Sequence, residues 1–242
     1  MTHQLFITSR GIYVLIFNGS VDLHKIMTDL SFLPGHFGKP TVAGLGRLEL
    51  EHSPSYKHLY RVVKQLTTEQ CRQLTIFLGL LHHVWSNLQD EFQNVPGHSY
   101  NMMFAALVMW KRGNDNPTFM ALRDALLQCK ENTHLLCKVF RDINPDTQEL
   151  TKETLDKTPS YSSLNSLSKH IGTSVVQLGV ELGLDITEIE EIQYEYRNKL
   201  SDQTKDVLKR WLKQKKEKPT VRTLVNAVYR IGKIDCIRQI KL

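Results

Sequence analysis

The C-terminal third of the chain contains apolar residues at helical spacing in six successive sets. Residues three, four or seven positions apart lie on one stripe of a helix, and polar or glycine-containing segments separate the sets. In order, the sets are Leu164 and Leu167; Val175, Leu178 and Leu182; Ile186, Ile189 and Ile192; Val207, Leu208 and Trp211; Val221, Leu224 and Val228; Ile234 and Ile237. The pattern predicts a bundle of six short helices over residues 163–242, with Leu178, Trp211 and Leu224 as core anchors.

Residues that favour helix termini stand at several of the breaks. Thr173 and Asp185 are expected to be N-caps, and Pro219 is expected to start a helix. Earlier in the chain, Thr67 and Gln70 have the separation of a capping box and mark the start of another helical region.

That earlier region, residues 66–140, repeats the C-terminal pattern. The matching groups are Pro117, Thr118, Leu122 and Ala125 with Pro219, Thr220, Leu224 and Ala227 (219 − 117 = 102); Leu107 and Trp110 with Leu208 and Trp211 (208 − 107 = 101); and Trp85, Leu88 and Phe92 with Val175, Leu178 and Leu182 (175 − 85 = 90). A single duplication of one bundle explains the repeat, with Trp85 and Trp110 as core anchors of the first copy. The shorter last offset predicts that helix 3 is short or missing there, replaced by a turn around Pro96 and Gly97.

The C-terminal bundle resembles the death-domain family. The segments that carry the resemblance are Val175-x-x-Leu178-Gly179-x-x-Leu182-Gly183-Leu184, Ile189-x-x-Ile192, Leu208-x-x-Trp211-Leu212 and Pro219-Thr220-Val221-x-x-Leu224-x-x-Ala227-Val228-x-x-Ile231-Gly232. Val175 stands where the family often has an aromatic residue, which indicates a locally smaller core. The resemblance implies an all-α fold of two six-helix Greek-key bundles in tandem, the first of them divergent. It also implies homotypic association, often through helices 1 and 4 of one domain and helices 2 and 3 of the next.

The first 62 residues differ in composition from the rest. Residues 5–8 and 12–17 are rich in β-branched and aromatic side chains, which predicts short β-strands. A six-residue apolar run is typical of a strand buried in a parallel sheet, although two strands alone cannot bury both faces. Residues 2–19 resemble part of a Roc (Ras-of-complex) GTPase domain around its fourth strand. We therefore expect residues 1–62 to be an incomplete Roc-like fragment, with an ordinary N-terminal extension as the alternative.

The segment between the two bundles, residues 141–162, is polar and is predicted to be a linker with a short helix near residues 149–155. No side-chain pattern predicts catalysis, a metal site or a cofactor site. His82 and His83 are adjacent on a predicted helix, point about 100° apart and are expected on the surface. Cys129 and Cys137 lack the further ligands that zinc requires and are expected to be small buried residues.

Charge is segregated in the C-terminal bundle. Predicted helix 3 carries Glu188, Glu191 and Glu195 on the face opposite its apolar stripe. Predicted helix 4 and the turn after it carry a basic set: Lys205, Lys209, Arg210, Lys213 and Lys216. A solvated surface explains any one of these residues, whereas separate acidic and basic faces favour head-to-tail contact between like domains.

The sequence thus predicts a non-catalytic adaptor or scaffold of the cytoplasm, acting in apoptotic or innate-immune signalling. It would bind other death-domain proteins, with self-association as a further possibility. The sequence shows no apolar run long enough to cross a membrane and no cysteine pair at CxxC spacing, which fits a reduced compartment. Two alternatives stay open: a nucleic-acid-binding module that uses the basic segment from Trp211 to Lys218, and the regulatory tail of a truncated Roc-type GTPase.

The sequence predicts no specific GTP binding. The chain has no GxxxxGK[ST] loop, whose backbone N–H groups would hold phosphate, and no downstream base-reading motif. Titration of the purified chain with a labelled GTP analogue and magnesium should give no saturable binding. Saturable, magnesium-dependent binding in the micromolar range would contradict this prediction.

Overall fold

The computed structural model describes residues 2–8, 11–17, 45–93, 98–131, 133–140, 151–197, 199–214 and 218–239. At the N-terminus, β1 (Thr2–Thr8) pairs with β2 (Gly11–Phe17). The pairing is antiparallel, with Thr2 opposite Phe17 and Thr8 opposite Gly11. The parallel arrangement that the apolar run favours is therefore not the one observed.

Seven helices follow in the described part of residues 45–140. They are α1 (Arg47–Glu51), α2 (Tyr56–Val63), α3 (Thr68–Phe77), α4 (His82–Phe92), α5 (His98–Gly113), α6 (Phe119–Gln128) and α7 (Leu135–Phe140). Leu59, Val62 and Val63 of α2 are fully buried, so the bundle begins before the predicted boundary near residue 62. His58 also joins α2 to Phe119 and Phe140, at ring distances of 5.2 and 5.8 Å.

The described C-terminal part contains one short helix, followed by five α-helices and two 3₁₀ segments. The short helix is α8 (Lys152–Leu155); the others are α9 (Tyr161–Ser168), α10 (Val175–Glu181), α11 (Ile186–Glu195), α12 (Leu200–Lys213), α13 (Val221–Arg230) and a terminal 3₁₀ helix (Ile234–Gln239), with a 3₁₀ turn (Gly172–Ser174) before α10. Leu155 packs on Val221 and Val225, and the backbone N–H of Val221 donates to the Lys157 carbonyl at 2.8 Å. The described end of the predicted linker, from residue 151, is thus part of the C-terminal bundle.

The helices from α2 to α7 follow the same order as those from α9 to the terminal 3₁₀ helix. The starts of α2 and α9 differ by 161 − 56 = 105 residues, and those of α5 and α12 by 200 − 98 = 102. The predicted loss of helix 3 from the first copy is wrong, because α4 is the third helix of this series and is 11 residues long. The match of Trp85 with Val175 aligned α4 with the second helix of the series instead of the third. The match was possible because any amphipathic helix shows the same three- and four-residue spacing.

Capping explains several helix starts. Asp185 caps α11 by accepting the Thr187 N–H at 2.9 Å, and Thr67 forms the expected capping box with Gln70. Thr173 does not cap α10, because it lies inside the 3₁₀ turn that leads into that helix. Pro219 does not start α13 either; Thr220 is its N-cap and accepts the Thr223 N–H at 3.2 Å.

Glycine permits a close contact between α10 and α11. A Cβ atom at Gly179 would lie 2.9 Å from the Ile189 Cδ1 atom, so a larger residue there would require the Ile189 side chain to shift. Gly183, in the turn between them, has a φ of 81°, which L-residues with a side chain rarely adopt. The Leu-Gly-x-x-Leu-Gly pattern of the sequence thus sets the geometry of this helix pair.

One continuous hydrophobic core runs through both bundles in the described part of the chain. Trp85, Trp110, Trp211, Leu178 and Leu224 all lie in it, with side chains buried. The Trp110 Nε1 atom has no hydrogen-bond partner among the described residues, so its ring contributes by packing alone.

The two bundles meet where α2 packs against α10. Arg61 of α2 donates to both carboxylate oxygens of Glu181 on α10, at 2.8 and 2.6 Å, and to the Val139 carbonyl at 3.1 Å. The two side chains are only 8% and 3% exposed. A second pair, Arg112 of α5 with Glu190 of α11, lies at 3.1 Å in a more exposed position.

Trp211→Ala should destabilise the whole helical part of the chain, because the core is continuous between the bundles. Truncating a buried tryptophan costs about 3–5 kcal/mol, a large share of the free energy of unfolding of an ordinary domain. Differential scanning calorimetry should show one transition, lowered by about 10 °C. Tyr194→Ala is the control, because Tyr194 is 74% exposed. A melt of the Trp211 variant within a few degrees of the parent would show that the core assignment is wrong.

The Arg61–Glu181 pair generates a second prediction. Glu181→Gln leaves the buried guanidinium without its counter-charge, which costs about 3–5 kcal/mol. Replacing both residues by leucine removes both buried charges and should recover most of that loss. Chemical denaturation of Arg61→Leu, Glu181→Leu and the double leucine variant measures the coupling. Additive losses would mean that the two charges do not stabilise each other.

Candidate functional site

A row of lysines projects from α12, the longest described helix of the C-terminal bundle at 14 residues. Lys205, Lys209 and Lys213 stand four residues apart, which places them on one helix face, and all three are exposed. The Lys205 ammonium lies 3.1 Å from Asp202 in an exposed ion pair. Such pairs contribute about 0–1 kcal/mol, so this lysine is free to exchange its partner. Lys216, the last residue of the predicted basic set, lies outside the described residues.

An apolar groove lies beside the lysine row, between α9 and α12. Its volume is about 440 Å³, and its lining includes Tyr161, Leu164 and Leu208 together with Lys205 and Lys209. The Tyr161 ring is 68% exposed. The face therefore combines an aromatic anchor, apolar side chains and flanking cations, a composition that favours protein–protein contact.

Sequence reasoning missed Tyr161. It precedes Leu164 by three residues and therefore has the spacing of the core stripe of α9. Periodicity alone cannot separate an exposed aromatic from a buried one at such a position. Only the packing of α9 against α12 shows that the ring points away from the core.

Arg210 belongs to a different environment from the three lysines. Its side chain donates to Asp206 at 2.9 Å and to Glu191 at 2.7 Å, and so joins α12 to α11. The predicted basic and acidic faces are thus linked within the bundle at this point.

The predicted acidic residues of α11 also have intramolecular partners. The Glu188 carboxylate accepts the Asp185 N–H at 2.9 Å as part of the α11 cap. Glu195 accepts a hydrogen bond from Tyr196, which raises the pKa of that phenol. Glu190, also on α11, pairs with Arg112 of the first bundle. The surface of α10 and α11 is therefore partly neutralised inside the chain.

The remaining candidate residues have ordinary environments. His82 and His83 are exposed at the start of α4, whereas Cys129 and Cys137 are half-buried and not fully buried as expected. Burial raises the pKa of the Cys71 thiol to about 12, which disfavours the nucleophilic thiolate. Within the described ranges, no three His, Cys, Asp or Glu side chains are grouped to hold a metal ion.

The nucleic-acid alternative relied on Trp211 and the basic segment after it. Trp211 is 3% exposed and cannot stack on a base. Residues 215–217 of that segment lie outside the described residues. No described helix is long and apolar enough to cross a membrane.

Comparison with protein families assigns the C-terminal bundle. No curated protein and no solved structure gives a significant match to the chain. The family match does not extend to residues 1–62 or 66–140, so it supports neither the Roc-like fragment nor a second copy. Residues 161–242, from the first residue of α9 onward, match the family model described as Death domain.

Proposed function

We propose that the protein is a non-catalytic adaptor or scaffold of the cytoplasm that binds death-fold partners in apoptotic or innate-immune signalling. The Death domain at residues 161–242 supports homotypic protein–protein interaction. The single observation that carries the proposal is the exposed lysine row of Lys205, Lys209 and Lys213 beside the groove around Tyr161.

This surface belongs to helices 1 and 4 of the Death domain, α9 and α12. Its cations favour a partner surface rich in carboxylates, and complementary charge raises the association rate and excludes wrong partners. The apolar groove supplies the buried contact that charges alone do not. The partner is therefore a death-fold domain with an acidic surface on its helices 2 and 3.

The contact between the two bundles supports the same mode of binding. In the order of the helices, α2 and α5 correspond to helices 1 and 4 of a death fold, and they carry Arg61 and Arg112. Their partners Glu181 and Glu190 lie on α10 and α11, which are helices 2 and 3 of the Death domain. We interpret the first bundle as a divergent second death fold that covers the acidic surface of the Death domain.

This arrangement leaves one open surface at each end of the pair. The lysine row is open on the Death domain, whereas the end of α3 and the turn before α4 expose Ile76, Phe77 and Leu81. Head-to-tail contacts of this kind continue from copy to copy when the ends remain open. Linking two bundles in one chain also strengthens binding through weak single contacts, because the second contact forms at a high effective concentration.

Reversing the lysine row should abolish partner binding. The variant Lys205→Glu, Lys209→Glu and Lys213→Glu places like charges against an acidic partner and should not unfold the chain, because all three side chains are exposed. Sedimentation velocity of the chain, alone and mixed with purified acidic-surfaced death-fold domains, should show complexes with the parent and none with the variant. Tyr161→Ala should weaken the same complexes.

A matched control separates this surface from general charge effects. Lys130, Lys152 and Lys169 are exposed and lie outside α12, so reversing them changes the net charge by the same amount. This control should retain binding. If the α12 variant associates as well as the parent at moderate salt, the lysine row is only a solvated surface and the proposal fails.

A further inference from the structure

Two clefts adjoin each other along the junction of the two bundles, and we call them together the junction groove. One cleft, of about 550 Å³, lies between the start of α2, the turn after α10 and one side of α13. The other, of about 600 Å³, lies between the end of α2, α7 and the end of α13. Arg61 and Arg230 line both clefts, so the two clefts are neighbours at the junction of the bundles.

Basic side chains line the groove from both bundles. The first cleft contains Lys57, Lys218 and Arg222 in addition to the two shared arginines. Arg222 lies 2.9 Å from Asp156 in an exposed pair, which water screens and an incoming anion can replace.

The second cleft adds two more cations. Lys64 and Lys138 line it, both exposed, and partial burial lowers the pKa of Lys64. The lining of this cleft contains no Asp or Glu among the described residues.

Among the residues that the structure describes, two carboxylates and seven cations line the junction groove. Glu181 is occupied by both donors of Arg61, and Asp185 caps α11. The described lining therefore has five more cations than carboxylates (7 − 2). Concentrating one sign of charge in a concave site with low-dielectric walls strengthens its attraction for a counter-ion.

The shape and lining of the groove select the class of anion. Each cleft has the size of a small-molecule site, and guanidinium and ammonium groups together bind phosphate. The aromatic side chains of the lining offer no platform for a base, because Trp211 is buried and the Lys111 ammonium lies over the Tyr56 ring. None of the large exposed apolar residues lines either cleft, so the groove lacks groups that would enter a lipid layer.

We propose that the junction groove binds a soluble, multiply phosphorylated small molecule that bridges the two bundles. Such a ligand neutralises cations that the fold brings together from α2, α7 and α13. Because it binds only when the bundles are docked, it stabilises the folded chain. This site is separate from the lysine row of α12 and does not depend on its role.

Inositol hexakisphosphate is a suitable probe for the full chain. Isothermal titration calorimetry at moderate salt should show saturable binding, and the melting temperature should rise with probe concentration. The variant Lys138→Glu, Lys218→Glu and Arg222→Glu should lose at least about tenfold in affinity. The control Lys130→Glu, Lys152→Glu and Lys169→Glu has the same net charge and should bind like the parent, as should the α12 variant.

Three results would overturn the proposal. The first is that the probe shows no saturable binding up to about 100 µM. The second is that the groove variant and the control lose affinity equally. The third is that the chain binds phosphoinositide vesicles and the soluble probe does not compete with them. The second would indicate general charge attraction, and the third a lipid headgroup. Circular dichroism of the unliganded groove variant checks that it is folded. If its helix content is lower than that of the parent, the variant Lys138→Gln, Lys218→Gln and Arg222→Gln, which removes the charges without reversing them, takes its place.

Discussion

The buried pair between Arg61 and Glu181 is the interaction on which the arrangement of the two bundles depends. Removing two charges from water is costly, and the cost is offset only when every donor finds an acceptor in good geometry. Here the guanidinium makes two bonds to the carboxylate and a third to the Val139 carbonyl. Alternative dockings of α2 on α10 would leave one charge buried without its partner, so the pair selects one relative orientation.

The hydrophobic core around this pair supplies affinity, and the pair supplies specificity. The core is continuous from α2 through α10 to α12, and apolar burial is non-directional. Arg112 and Glu190 reinforce the same orientation at the solvent edge. As a consequence, two carboxylates of α10 and α11 face the first bundle, while the lysine row of α12 faces solvent.

This distribution explains how one chain can carry two electropositive surfaces with different chemistry. The α12 surface is open, has an exposed tyrosine and lies beside an apolar groove, which are features of a protein contact. The junction groove is concave and polar, and its cations come from both bundles. Shape and apolar content, more than net charge, separate the two.

Much of the helical framework could be predicted from the sequence. The apolar stripes around Leu178, Trp211 and Leu224, the Asp185 cap and the Thr67–Gln70 capping box are local features, because each depends on residues within one or two turns of helix. The same local nature caused the errors. The three- and four-residue spacing around Trp85 occurs in any amphipathic helix, so it was matched to the wrong one.

The amino-acid sequence by itself determined the helical periodicity, the Death domain resemblance and the presence of a lysine row on one helix. Tertiary structure alone decided which charged side chains remain exposed and which are paired between the bundles. Glu181 and Glu190 look like surface carboxylates in the sequence, yet their partners stand 120 and 78 residues away. No local pattern encodes such distances, because contacts between elements depend on how complete helices pack. The exposure of Tyr161 and the gathering of cations at the junction arise for the same physical reason.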